Sequence, residues 1–228
     1  MQEDAAKRKA TPAWQMTQAE FLATAPYLHG TNKKNAESIK AAGRIATGQP
    51  KNYSDPEFGD AVYFAKPDSH FHTKDSSEGN FDLSQKIPVE IKPDAKVLTW
   101  RSVEDIEATA KKIGYSSATQ LVRDLQSDFE TRSRDKAYVP DANTLKSVRA
   151  KNALRKAGYD VVEVDNPDSL TGSIEWRPDP RYAAMSLSGQ QLVALNPNAV
   201  QLSSKMHEQS VRKALAEGKP VPAEVLAN

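Results

Sequence analysis

The sequence contains no cysteine. Disulfides, iron–sulfur clusters, cysteine-ligated zinc and cysteine nucleophiles are excluded on that ground. Histidine is scarce, four in 228 residues, so a metal centre has few imidazoles to draw on and none is expected. No apolar run approaches the roughly 20 residues that span a bilayer. The first ten residues carry Lys and Arg without an apolar stretch of the secretory kind. The 31 basic and 30 acidic side chains leave a net charge of +1, too little for a global field that attracts nucleic acid or anionic membrane. The expectation is a soluble, cytoplasmic protein with no membrane partner. Hydrophobic residues, 38% of the chain, suffice for a packed core, and the length suits one domain with tails.

Strand and helix signals come in blocks. Tyr27-Leu28 reads as a first strand broken by Gly30. Residues 32–42 read as a helix, with Thr31 or Asn32 as cap and Gly43 at its end. Ala61 to Ala65 is a short buried strand. Residues 88–91 and 96–100 read as two strands, forming a hairpin or belonging to neighbouring sheets. Three apolar stripes at helical spacing follow: Val103, Ile106 and Ile113; Leu121, Val122, Leu125 and Phe129; Leu145, Val148, Leu154 and Ala157. Tyr159 to Val164, Ile174 to Trp176, Gln191 to Leu195 and Ala199 to Leu202 read as strands. A last helix from Ser204 carries Val211, Ala214 and Leu215, and a Pro-rich tail follows Gly218. Strands, then helices, then strands give an α+β class.

Familiar sites are missing: no GxGxxG, no P-loop and no GxSxG. His70 and His72 are spaced to share a strand face, but no third ligand accompanies them. A more specific arrangement is Leu28-His29-Gly30-Thr31 before a capped helix, then Gly59-Asp60-Ala61-Val62-Tyr63-Phe64-Ala65, then the late strand Gln190-Gln191-Leu192-Val193-Ala194-Leu195.

This order and spacing resemble the ADP-ribosyltransferase superfamily, in its diphtheria-toxin-like and poly(ADP-ribose)-polymerase-like His-Tyr-Glu branch. The resemblance covers roughly Tyr27 to Leu202. It implies a split β-sandwich with a helical insertion at about 102–157, inside a domain of residues 19–204. A flexible arm, 1–18, and a C-terminal helix with its tail, 205–228, would flank that domain. It also implies NAD⁺ as substrate, with nicotinamide released and ADP-ribose passed to a protein or nucleic-acid acceptor. NAD⁺ binding falls by resemblance to His29, Gly30, Thr31, Tyr63 and Phe64, with Phe71 as a second wall for nicotinamide. The chemistry of the residue types agrees. A glycine admits a planar ligand against the backbone, a neutral imidazole accepts a hydroxyl hydrogen bond, and a tyrosine ring offers a stacking face. The acceptor loop would carry Arg181, Tyr182 and Met185.

The third motif departs from the pattern. Gln191 stands where the active branch has its catalytic glutamate. A carboxamide accepts a hydrogen bond but carries no charge to steady a developing cation and takes no proton. The expectation is a weak or inactivated mono-transferase; the alternative is a catalytically silent module that binds NAD⁺, ADP-ribose or a partner. Glu175 is a candidate replacement acid, with Glu163 and Asp165 behind it. The chain ends resemble flanks found in bacteriophage and bacterial mobile-element proteins, which places a toxin-like activity in a bacterial or phage-infected cell. Finally, Lys146, Arg149, Lys151, Arg155 and Lys156 form a basic helix face, either merely solvated or open to RNA.

Overall fold

The computed structural model describes residues 11–45, 61–67, 85–132, 142–165, 173–175, 186–188 and 191–227. Alternation of apolar residues along short β-branched runs builds one seven-stranded sheet. Its strands are β1 (Tyr27–Thr31), β2 (Val62–Ala65), β3 (Gln85–Ile91), β4 (Val97–Trp100), β5 (Val161–Val164), β8 (Gln191–Ala194) and β9 (Val200–Leu202). They lie in the order β4-β5-β8-β2-β1-β3-β9. Only β4 and β5 run parallel; the other neighbours are antiparallel. A separate ribbon pairs β6 (Ser173–Glu175) with β7 (Ser186–Ser188). Seven α-helices stand among the described residues: α1 (Gln18–Ala23), α2 (Lys33–Ala42), α3 (Val103–Lys112), α4 (Ala118–Arg132), α5 (Ala142–Lys156), α6 (Ser203–Ala216) and α7 (Ala223–Leu226). The class is α+β, as the order of signals predicts.

Each sheet face has its own core. Val193 and Leu195 of the β8 segment pack with Val162, Val164 and Trp100 beneath α3, α4 and α5. Leu192 and Ala194 turn the other way, joining Val62, Phe64, Ile87, Val89 and Leu202 under Ala36 of α2. The three central helices form the crossover that a parallel β4–β5 pair requires. Local chemistry sets their ends. Ser102 and Asp105 form a reciprocal capping box at α3. At α2, the Asn32 side chain accepts from the Asn35 N–H at 2.8 Å, and Gly43 closes the helix at φ 65°, a left-handed conformation that a β-carbon would strain.

Several expectations are corrected. β1 does not break at Gly30 but runs through it to Thr31, because five register pairs with β3 outweigh the weak strand preference of glycine. The strands 88–91 and 96–100 are neither a hairpin nor members of two sheets. They are β3 and β4 of one sheet, with four strands between them. In α5, Val148 is 42% exposed while Ser147, Ala150 and Leu154 are buried. Ser147 goes inside because its hydroxyl donates to the Leu125 carbonyl of α4 at 3.1 Å, and its small size lets the helices close. In α6, Leu215 points outward at 49% exposure, and the tail forms α7 with Val225 buried.

The β3–β4 link shows that the sheet is not flat. Six Cα steps join Ile91 to Val97, at most about 21 Å of chain. Five inter-strand spacings laid flat would need about 24 Å, so the sheet bends to bring its flanks together. Its thinnest joint is β1–β2, held by the single pair Leu28–Ala65, against five pairs for β1–β3 and four for β2–β8.

The two chain ends meet beside this body. Met16 and Phe21 are buried with His207 of α6, whose Nε2 lies 2.7 Å from the Met16 carbonyl and whose ring centroid is 5.4 Å from that of Phe21.

Candidate functional site

The seam between β1 and β2 brings the first two motifs together. The one register pair across this seam is Leu28–Ala65, and beyond it the His29 ring reaches the Tyr63 backbone. Gly30 is not among the glycines with positive φ, so backbone conformation does not demand glycine there. What glycine supplies in a strand is bare backbone, the usual mark of a close approach. On the far side of β2, Tyr63 pairs with Val193 and Ala65 with Gln191, so Gln191 stands diagonally across from Tyr63. Three consecutive strands of the sheet, β1, β2 and β8, thus carry His29-Gly30, Tyr63 and Gln191.

His29 is tied into the seam. Its Nδ1 lies 2.7 Å from the Tyr63 backbone carbonyl. A carbonyl only accepts, so Nδ1 carries the proton and donates it. Burial disfavours the imidazolium and lowers the pKa of His29, and the bond to Tyr63 offsets this only in part. The ring is therefore neutral near pH 7, with its tautomer fixed by the carbonyl and Nε2 left as an acceptor. This has a consequence for stability. The folded pKa lies below the unfolded value near ~6.5, so the contribution of His29 is in place above that value and is lost as pH falls through the folded one. The urea midpoint is expected to drop as pH is lowered through this window, and His29→Gln should flatten the drop. An unchanged pH dependence in that variant would contradict the assignment.

Tyr63 is half-buried and packs with Leu98, Ile113, Tyr115 and Tyr159 against the core beneath the three central helices. Phe64 is 3% exposed, with its ring edge-on to Tyr27 at 5.5 Å and 76°. It belongs to the core, which corrects its assignment to ligand binding. Thr31 is buried at the end of β1, opposite Gln85. Lys86, which the motifs did not single out, pairs in register with Gly30, and desolvation holds its ammonium below the usual lysine range.

Of the candidate acids, Glu175 lies in the separate ribbon opposite Ser186, outside the sheet that carries Gln191. Glu163 and Asp165 flank Val164, the register partner of Gln191 on β5. They share the Lys66 ammonium, at 3.5 and 3.7 Å, and Glu163 also accepts from the Thr99 hydroxyl at 3.1 Å. Burial first, then the charges of Glu163, Glu90 and Asp165, raises the pKa of Tyr27 beside them. Phe71, His70, His72, Arg181, Tyr182 and Met185 lie outside the described residues. Among the described residues no cluster of three or more potential metal ligands occurs, and no helix is long and apolar enough to cross a membrane.

No protein-family model, curated protein or solved structure matches the chain.

Proposed function

We propose that the bent sheet is a split β-sandwich of the ADP-ribosyltransferase type and that the chain is an NAD-dependent mono-ADP-ribosyltransferase. It would release nicotinamide and pass ADP-ribose to a macromolecular acceptor, in the cytoplasm of a bacterial or phage-infected cell. One observation carries the reading: His29-Gly30, Tyr63 and Gln191 occupy three adjacent strands around the thinnest joint of the sheet. Motifs far apart in sequence are neighbours in register. In this reading the neutral His29, whose register partner Ile87 lies in the core on the other face of the sheet, acts by tying β1 to the Tyr63 carbonyl. The bare backbone at Gly30 admits the nicotinamide carboxamide, and Tyr63 supplies the stacking face. Lys86, the register partner of Gly30, would meet the negative charge of the diphosphate.

The uncharged residue at position 191 favours a second reading, a catalytically silent module that binds NAD⁺ or ADP-ribose at the same seam. Both readings make the same demand of Tyr63. Tyr63→Phe should keep NAD⁺ affinity within about twofold, whereas Tyr63→Ala should lose about tenfold or more, since aromatic stacking contributes roughly 0.5–1.5 kcal/mol beyond the buried area. Equal binding by the two variants, read by calorimetry, would remove the seam from both.

A further inference from the structure

Charge in this chain is nearly balanced overall but not locally. The fifteen residues of α5 include five cations and no carboxylate. Lys151 is buried, so the basic face is smaller than the sequence implied. Arg149, Arg155 and Lys156 are exposed and make no ion pair with any described residue. The contrast is α6, where Lys205 and Arg212 pair with Glu208 at 3.2 and 2.7 Å and Lys213 approaches Glu217 at 3.9 Å. Cations left bare on one helix and neutralised on another mark a surface available to an external anion.

That surface is concave. A groove of about 680 Å³ runs between the C-terminal end of α3 and α5, lined by Lys112, Ile113, Val148, Arg149, Asn152 and Lys156 among others, with no acidic residue in its lining. The Lys112 ammonium is held at the rim, donating to the Tyr159 hydroxyl at 2.7 Å. Arg149 and Lys156 stand seven residues apart on one helix, about 10.5 Å along its axis. Three phosphate steps of a stacked strand, at about 3.4 Å each, cover the same distance. Exposed Val148 and half-buried Ile113 give apolar surface between the charges.

We propose that this groove binds a single strand of nucleic acid through its phosphodiester backbone. The inference does not depend on any transfer chemistry, because binding is read without NAD⁺.

The test is fluorescence anisotropy of a labelled oligouridine against the full chain over a range of salt. Three phosphate contacts, by Lys112, Arg149 and Lys156, predict a log–log salt slope of about −2.1, hence roughly an eighteenfold loss of affinity between 50 and 200 mM salt. The pair Arg149→Gln with Lys156→Gln should reduce the slope by about 1.4. The control pair Arg212→Gln with Lys213→Gln, on α6, should leave it unchanged. Circular dichroism of both variants separates loss of contact from loss of fold. Absence of binding, equal loss in both pairs, or equal competition by polyglutamate would each overturn the proposal.

Discussion

Gln191→Glu is expected to raise the rate of nicotinamide release from NAD⁺ by about 10²–10³-fold, the usual worth of one preorganised electrostatic group in a reacting site. Cleavage at the nicotinamide bond builds positive charge on the ribose carbon. A carboxylate placed diagonally across from Tyr63 would stabilise that charge, and a carboxamide does not. The substitution is nearly isosteric, and the strand around it is secured by Leu192, Val193 and Ala194, all at most 1% exposed, so folding should be unaffected. The assay is nicotinamide release by both proteins under the same NAD⁺ concentration. An unchanged rate, with binding intact, would set aside the transferase and leave the silent module. The neighbouring acids would be poor substitutes for a carboxylate at position 191, because Glu163 and Asp165 already share Lys66 and Glu163 also receives the Thr99 hydroxyl.

Trp100→Ala is expected to destabilise the chain by about 3–5 kcal/mol, the range for emptying a large aromatic from a core. Trp100 is fully buried, at the end of the edge strand β4, where it joins sheet and helices. Its indole N–H donates to the Thr109 hydroxyl of α3 at 3.0 Å, and that hydroxyl donates in turn to the Asp105 carbonyl at 2.8 Å. Trp100→Phe retains most of the volume and leaves Thr109 with a partner, so it should be clearly milder. Urea denaturation of the two variants checks the order. A loss below about 1 kcal/mol for alanine would mean that the helices close over the gap, contrary to the packing described.

Much of the sheet was legible because its strands are β-branched and apolar: β2, β5 and β8 fall where their sequences place them. Helix α2 was legible from Asn32 and Gly43. The failures share a cause. Periodicity weights large apolar residues, so it pointed Val148 and Leu215 inward and passed over Ser147, whose interior position comes from a hydrogen bond to another helix. Strand neighbours were hidden because adjacency in sequence, as between β3 and β4, says nothing once a sheet bends. The site shows the same division. His29, Gly30 and Tyr63 were named from the motifs; the register sets their strands beside that of Gln191, with His29 turned to the face of Ile87 and Phe64. Phe64 was misread because the residue after Tyr63 necessarily turns to the other face of the sheet. Lys86 was invisible, since only the pairing of β1 with β3 sets it beside Gly30. The tautomer of His29 also needed the fold, because it depends on a carbonyl 34 residues away in sequence.

The most direct test of the central claim is a calorimetric titration of NAD⁺ into the full chain and into His29→Ala. The account predicts saturable binding by the unaltered protein and its loss, or at least a tenfold weakening, in the variant. That follows from removing the tie between β1 and the Tyr63 carbonyl. No binding by the unaltered protein at millimolar NAD⁺, or equal binding by both, would contradict it.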